Sequence, residues 1–203
     1  MTNKALIAFA KEKLGTAYVY GMKGTIMTEA NFNLLQKKYG SYYVWDSDAQ
    51  KIGQVCVDCS GLISWATGVS YSSSQLYEVA KKIEPISTLQ NAPLGAILWK
   101  SGHVGIYIGT EDSTPMYIAA DGSAYGVRKN TVANSSFTHW LLLDYIQYES
   151  ELVEDSRLII DGVSVAVKRI LVDGTNYIKI RDVADLLGYE IGYEGNIATL
   201  TKQ

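Results

Sequence analysis

The sequence contains no apolar run of the length that a membrane helix needs, which is about 18 residues. We therefore expect no membrane insertion. It also lacks a Lys- or Arg-rich stretch, and its net charge of -3 argues against nucleic acid as a partner. The N-terminus has no signal-peptide core, because Lys11, Glu12 and Lys13 interrupt its short apolar stretch. The chain is expected to be made in the cytoplasm, or to be secreted if a leader was removed.

Cysteine and histidine are both scarce, with two residues of each. The cysteines, Cys56 and Cys59, form a C-x-x-C pair. A structural zinc site needs four ligands and the sequence has no second pair of this kind, so neither a metal nor another cofactor is expected. A thioredoxin-like redox pair needs a βαβ context, whereas the segment before these cysteines is irregular. A third interpretation makes Cys59 alone a nucleophile, and an inert buried cysteine is the plain alternative.

The composition is that of a folded protein, with 47% apolar and 19% charged residues. Apolar residues recur at helical spacing in the first half of the chain, and the pattern changes to strand-like alternation after Pro93. Helices followed by an antiparallel sheet predict an α+β fold. The predicted helices are 2–14, 28–39, 58–68 and 73–83, and the predicted strands are 96–99, 103–108, 116–120, 125–129 and 140–146.

An acidic stretch at 149–155 marks a boundary between two predicted domains, 1–148 and 156–203. The second domain is predicted to be a small α+β unit, because turn residues separate strand-forming runs. Its turns are predicted at 161–162, 173–174 and 194–196, and its helix at 181–187.

The segment from Asp58 onward places Cys59 at the start of a predicted helix. A thiol there feels the positive end of the helix dipole, which favours the reactive thiolate. The backbone N–H groups of Ser60 and Gly61 are candidate donors to an oxyanion.

His103 begins a predicted strand on which side chains alternate between two faces. Val104 and Ile106 then lie on the core face, and His103 and Gly105 lie on the other. The bare Gly105 is expected to leave room for a thiol from another element. Cysteine at a helix start and histidine on a later strand together supply the nucleophile and the base of a cysteine hydrolase.

Three segments in this order resemble the NlpC-type cell-wall peptidases, a branch of the papain-like cysteine peptidases. The match covers about residues 1 to 148, and a shorter similarity lies in Tyr125-Gly126-Val127. The segments are LGTAYVYG at 14–21, DCSGLI at 58–63 and GHVGIYIG at 102–109.

The resemblance implies a papain-like domain in which Cys59 attacks a peptide carbonyl and His103 takes its proton. It also implies that Tyr18, Asp58 and Ser60 line the substrate groove. The implied partner is peptidoglycan, cut between D-glutamate and the diamino acid of the stem peptide, and some relatives cut instead as muramoyl-alanine amidases. A phage endolysin, acting on the wall after release, is the expected setting, and a bacterial autolysin is the alternative. A thiol-disulfide protein and an idle wall-binding module are the alternatives from other classes.

Two departures from the family pattern stand out. The family places a polar residue that orients the histidine on the strand after it, and the alignment puts Ala119 there. Asp121 shares the face of Ala119 by strand alternation and can take the role, although Asp121-Gly122 also fits a plain turn. The segment 22–56 is longer than in compact relatives and is expected to form one wall of the groove.

Two segments of the second domain, DGV at 161–163 and VDGTNYIKIRDVA at 172–184, resemble the small domain named after the copper amine oxidase N-terminal region. No copper site is implied, because this part of the chain has no His or Cys. Wall binding, self-association and bracing are the roles considered, and wall binding is the expectation.

Overall fold

The chain divides into two compact units, Met1–Glu149 and Ser150–Gln203. No helix in the described part of the chain is both long and apolar enough to cross a membrane. The computed structural model describes residues 1–148, 153–160, 162–172, 175–195 and 197–202.

Four α-helices form in the first unit, each where a polar side chain caps the first turn. Thr2 accepts a hydrogen bond from the backbone N–H of Ala5, and Asp58 accepts one from that of Gly61. The helices are α1 (Asn3–Glu12), α2 (Glu29–Tyr39), α3 (Cys59–Thr67) and α4 (Ser73–Glu78), and the 3-10 helices are Asp46–Lys51, Ile86–Asn91 and Val132–Asn134.

Nine strands of the first unit form two sheets. An antiparallel six-stranded sheet has the order β4-β9-β5-β6-β7-β8, and a small sheet has the order β1-β3-β2 with β1 parallel to β3. The strands are β1 (Ala17–Tyr18), β2 (Lys23–Ile26), β3 (Val55–Val57), β4 (Lys82–Pro85), β5 (Ile97–Lys100), β6 (His103–Glu111), β7 (Thr114–Ala120), β8 (Val127–Thr131) and β9 (His139–Leu142).

The core of this unit lies on both faces of the six-stranded sheet. Helices α1 and α3 pack on one face, where Val104 and Ile106 of β6 are fully buried. On the other face Tyr107, Tyr117 and Phe137 belong to a second buried cluster. This alternation along β6 is the one that the sequence predicts, and it fixes the side of the sheet on which each residue of the site lies.

The predicted α+β class is confirmed, two local predictions are wrong, and one small sheet is not predicted. The helix predicted over 73–83 ends at Glu78, because Lys82–Pro85 pairs with β9 as an edge strand. The strand predicted over 140–146 is only His139–Leu142. The small sheet β1-β3-β2 was not predicted, since strands of two to four residues leave no clear alternation.

The second unit is a small α+β unit, as the sequence predicts. Its strands β10, β11 and β12 form one antiparallel sheet, and β13 and β14 form a hairpin. The turn predicted at 173–174 and the residues Asp161 and Asn196 of the other two turns lie outside the described residues. The elements are β10 (Val153–Ile160), β11 (Val163–Val172), β12 (Thr175–Ile178), α5 (Ile180–Leu187), β13 (Tyr189–Glu194) and β14 (Ile197–Lys202).

Candidate active site

Cys59 occupies the first residue of α3, and its thiol faces the start of β6. The Sγ atom lies 3.9 Å from the carbonyl oxygen of Gly102, and the backbone N–H of Val104 donates to the sulfur. Gly102 and Val104 are the two chain neighbours of His103. The structure therefore brings the predicted nucleophile to the backbone on both sides of the predicted base.

The imidazole of His103 is held from two directions. Its Nε2 lies 3.1 Å from Oδ1 of Asp121, and the ring of Phe137 stacks on it with a centroid distance of 5.6 Å and an interplanar angle of 7°. A carboxylate is an acceptor only, so in the neutral ring Nε2 carries the hydrogen and Nδ1 is the nitrogen with a free lone pair. The ring is thus fixed in the tautomer that can accept a proton at Nδ1.

Asp121 lies at the end of β7 with only 4% of its side chain exposed. Its Oδ2 also accepts from Nε of Arg128 at 2.6 Å and from the hydroxyl of Tyr117 at 3.1 Å. Burial acts to raise the pKa of Asp121, but the hydrogen bonds and charges of His103 and Arg128 outweigh it and lower the pKa below its ordinary value. The carboxylate is therefore ionised at neutral pH.

Ala119 does not contribute a polar group, in keeping with the departure noted in the sequence. Its side chain is 1% exposed and belongs to the second buried cluster. The structure resolves the two interpretations of Asp121 geometrically, because Asp121 both begins a turn, with its N–H donating to the carbonyl of Gly126, and contacts His103.

The thiol of Cys59 has a raised pKa of about 12. Burial is the main cause, and the nearby carboxylate of Asp58 adds to it, while N–H donors from Val104, Ser60 and Cys59 itself act in the opposite direction. The backbone N–H groups at the helix start therefore favour the thiolate, as the sequence predicts, but burial and Asp58 outweigh them. A base must remove the proton as the sulfur attacks.

The two predicted oxyanion donors differ in availability. The backbone N–H of Gly61 is taken by Oδ1 of Asp58, so the prediction is wrong for this group. The backbone N–H groups of Cys59 and Ser60 lie beside the thiol and precede the first intrahelical hydrogen bond of α3. They are the donors available to an oxyanion.

The residues that the resemblance assigns to the groove lie beside the thiol. Tyr18 packs against the core cluster that contains Cys59, and its pKa is raised by burial and by the charges of Cys59 and Asp58. Asp58 is 7% exposed and its carboxylate accepts hydrogen bonds from the Ser60 hydroxyl and from the N–H of Gly21. Asp58 thus joins the segment at Gly21, between β1 and β2, to the start of α3. Its role in substrate binding stays a prediction.

The space beside Gly105 is filled, contrary to the expectation that it receives the thiol. A Cβ at Gly105 would meet the rings of Tyr117 and Phe137 at about 3 Å. Glycine at this position therefore admits the aromatic residues that pack around His103, and the thiol approaches from the other face of the sheet.

The two cysteines lie in different parts of the core. Both are free and buried. Cys56 belongs to the cluster under the small sheet, with its sulfur toward the carbonyls of Lys51 and Gln54, whereas Cys59 belongs to the cluster under α1 and α3. This separation gives the thiol-disulfide interpretation no support.

An ion pair in the long segment 22–56 lies against the backbone next to the site. Asp48 has no exposed surface, and the ammonium of Lys51 donates to its carboxylate at 2.6 Å. The same ammonium donates to the carbonyls of Tyr18 and Ser123, at 2.7 Å and 2.9 Å. The segment therefore ties the Tyr18 strand to the turn that follows Asp121.

Arg128, Phe137 and the Asp48–Lys51 pair were not found by sequence reasoning. Their sequence positions carry no motif, and each reaches the site through strand register or through a loop. The charged pair three residues apart in a polar segment is the only signal that sequence offers for them, and surface pairs share it.

Comparisons with known proteins give similar folds only. No family model matches the sequence, and no curated protein matches it. The P60 domain of antigen MAP1204 from M. avium subspecies paratuberculosis is 22% identical, with a TM-score of 0.46, over 73% of this chain and 96% of that chain. The NlpC/p60 domain of the peptidoglycan hydrolase SagA is 22% identical, with a TM-score of 0.45, over 70% and 100%. NlpC1 from Trichomonas vaginalis is 18% identical, with a TM-score of 0.42, over 72% and 43%. TM-scores below 0.5 carry no inference about activity, which rests on the geometry of the site.

Proposed function

We propose that the protein is a peptidoglycan hydrolase that cleaves an amide bond of the stem peptide through an acyl-enzyme on Cys59. The observation that carries this proposal is the contact of the Cys59 thiol with both neighbours of His103, together with the 3.1 Å contact from His103 to Asp121. A thiol, an imidazole and an orienting carboxylate in this order form the minimal set for thiol-dependent acyl transfer.

The chemistry follows from the tautomer of His103. As the Cys59 sulfur attacks the amide carbonyl carbon, its proton passes to Nδ1, and Asp121 stabilises the imidazolium. The oxyanion lies near the backbone N–H groups of Cys59 and Ser60. Collapse of the tetrahedral intermediate breaks the C–N bond, and the imidazolium protonates the leaving amine. Water then attacks the thioester, with His103 taking its proton, and releases the acid and the free thiol.

The substrate class rests on the three motifs rather than on the geometry. Tyr18 and Asp58 beside the thiol are the positions that the resemblance assigns to a wall-peptide groove. The bond between D-glutamate and the diamino acid is the one that we propose, and a phage endolysin whose second unit attaches to the wall is the proposed setting.

Product analysis tests the bond and the class together. Purified sacculi are digested with the full chain, and the released muropeptides are identified by mass spectrometry, with Cys59→Ala as the blank. We expect a new amino terminus on the diamino acid and a new carboxyl group on D-glutamate. A new carboxyl group on muramic acid would show instead that the enzyme is an amidase that cuts the muramoyl-alanine bond. An unchanged digest would refute wall hydrolysis altogether.

A further inference from the structure

The carboxylate of Asp121 is shared between two potential cations. His103 contacts Oδ1 at 3.1 Å, and Nε of Arg128 contacts Oδ2 at 2.6 Å. The hydroxyl of Tyr117 donates to Oδ2 as well. With a side chain 4% exposed, Asp121 has little water to screen these interactions. A group that binds Oδ2 therefore changes how strongly Oδ1 interacts with His103.

Arg128 comes to this position through the register of β7 and β8. It lies opposite Ala119 in the antiparallel pairing of β7 and β8. Ala119 precedes Asp121 by two residues. The centre of the Arg128 guanidinium lies 3.9 Å from the ring centroid of Tyr125, a cation–π contact that limits where the side chain can lie. The guanidinium of Arg128 thus contacts the Asp121 carboxylate beside Ala119. The resemblance predicts a polar residue at the position of Ala119.

We propose that Arg128 is a positioning residue of this site, which orients the Asp121 carboxylate toward His103 and neutralises part of its charge. The inference rests on the proposed function, since it assigns a role within the same reaction. The Nε hydrogen bond from a guanidinium that lies over Tyr125 holds Oδ2 of the carboxylate in place, which leaves Oδ1 for His103. The charge of Arg128 also offsets part of the charge of Asp121, so the carboxylate stabilises an adjacent imidazolium less than it would without Arg128. His103 therefore releases its proton more readily to the leaving amine.

The other groups around His103 and Asp121 do not replace Arg128. Cys59 faces this pair from α3 and Tyr117 from β7, and Tyr125 covers the guanidinium. The second cation is Lys100 of β5, the register partner of His103. Lys100, His103, Asp121 and Arg128 line one cleft of about 420 Å³. Among these cations, Arg128 is the one that the structure shows bonded to the carboxylate.

The experiment measures the protonation of His103 directly in the full chain without substrate. The protein has two histidines, so His139→Gln assigns the imidazole signals in an NMR titration. Arg128→Gln removes the charge and Arg128→Lys keeps it. Lys129→Gln is the matched control, because Lys129 is the next residue on β8 and pairs with the exposed Glu111.

We expect Arg128→Gln to move the midpoint of the His103 titration upward by about one pH unit. Arg128→Lys and Lys129→Gln are expected to leave the midpoint near that of the wild type. A midpoint in Arg128→Gln that equals that of Lys129→Gln would overturn the charge role. If Arg128→Gln fails to fold, Arg128→Lys decides: we expect its kcat on wall peptides to fall about three- to tenfold at unchanged KM, since a flexible ammonium does not reproduce the directed Nε hydrogen bond to Oδ2. A wild-type kcat in that variant would overturn the positioning role.

The titration and the digestion fail separately. A shifted midpoint in a protein that releases no muropeptide would refute the proposed function and leave the coupling of Arg128 to His103 standing. Normal digestion with an unshifted midpoint would do the reverse.

Discussion

At the scale of single residues, Asp121 is the group on which the orientation of His103 depends. It lies two residues beyond Ala119, directly after β7, and its carboxylate lies 3.1 Å from Nε2 of the imidazole. Phe137 holds the ring by stacking, but it contributes no charge. The stabilisation of an imidazolium during the reaction therefore falls to Asp121.

Replacing Asp121 by Asn is expected to weaken the enzyme without abolishing activity. The amide keeps a similar shape but removes the charge that favours the imidazolium, so kcat/KM is expected to fall roughly 100-fold. Steady-state hydrolysis of a stem peptide measures this. Asp112→Asn, in the exposed turn between β6 and β7, is the control and should match the wild type. A loss of less than threefold in Asp121→Asn would show that the carboxylate does not serve His103.

The raised pKa of the Cys59 thiol makes a prediction for chemical modification. A folded pKa of about 12 lies above the ordinary value, so the native state holds the proton on sulfur until the pH is strongly alkaline. In a Cys56→Ser, His103→Ala protein, the rate of alkylation by iodoacetamide should rise about tenfold per pH unit between about pH 7 and 9. A plateau within this range would mean that the thiol is not held protonated by burial.

The sequence allows Cys59, His103 and Asp121 to be predicted, whereas Arg128 and Phe137 cannot be. The first two stand in motifs, and strand alternation brings Asp121 into consideration. Arg128 and Phe137 meet the site because of the register of β8 and the path of the loop before β9, and neither feature is local in sequence. The catalytic roles of the three predicted residues remain predictions, and sequence suggests residues only where the signal is local.

At the scale of elements, the 3-10 helix Asp46–Lys51 is the part of the long segment that acts on the site. The hydroxyl of Ser123 donates to the carboxylate of Asp48, and the ammonium of Lys51 donates to the carbonyls of Ser123 and Tyr18. The prediction that segment 22–56 forms a wall of the groove remains untested. What the contacts add is a rigid link between the turn after β7 and the strand that carries Tyr18.

Removing one partner of the buried pair is expected to destabilise the first unit strongly. Asp48→Ala removes a fully buried carboxylate and leaves the Lys51 ammonium, whose side chain is 18% exposed, without that partner. The cost in the free energy of unfolding is expected to be about 3 kcal/mol, the lower end of the range for buried pairs, because Lys51 keeps some contact with water. Urea unfolding measures this. Asp46→Ala, in the same helix but exposed, should cost about 1 kcal/mol or less. Equal losses in the two variants would mean that the buried pair is not the source of the stability.

Helices are better predicted than short strands in this chain. The caps at Thr2 and Asp58 stand in the sequence, and α1 and α3 begin where those caps indicate. The helix predicted over 73–83 runs into the strand Lys82–Pro85, because Ile83 continues the helical spacing of Leu76, yet Ile83 pairs with Leu141 of β9. Long-range pairing outweighs local spacing there.

At the scale of the whole molecule, the two units differ in how much they bury. The first has a large core on both faces of its sheet. Among the side chains of the second unit that the structure describes, only Val167 and Ala184 are buried, while Ile159 and Ile197 are more than two-thirds exposed. A unit of this size with so little core is expected to open readily.

Hydrogen exchange of the intact chain tests this difference. Backbone amides of β11 are expected to exchange at least about 100-fold faster than those of β6, because opening the second unit exposes little apolar surface. Amides of the exposed α2 provide an internal reference within the first unit. Equal protection of β11 and β6 would show that the second unit is stabilised by contacts beyond its own core.

The α+β class follows from the order of periodic segments, but the sheet order does not. Strand β9 lies between β4 and β5, and β4 lies at the edge. No local pattern specifies such neighbours, since each pairing joins segments far apart in the chain. The class is therefore predictable from sequence and the arrangement that brings Cys59 to β6 is known only from the structure.

The most direct test of the central claim compares the two cysteines on purified sacculi. Turbidity is followed with the wild type, Cys59→Ala, His103→Ala and Cys56→Ala, each first checked for native unfolding behaviour. We expect clearing by the wild type and by Cys56→Ala, and none above background by the other two. Clearing that survives the loss of Cys59, or that is lost equally with Cys56, would contradict a site built on one thiol and one imidazole.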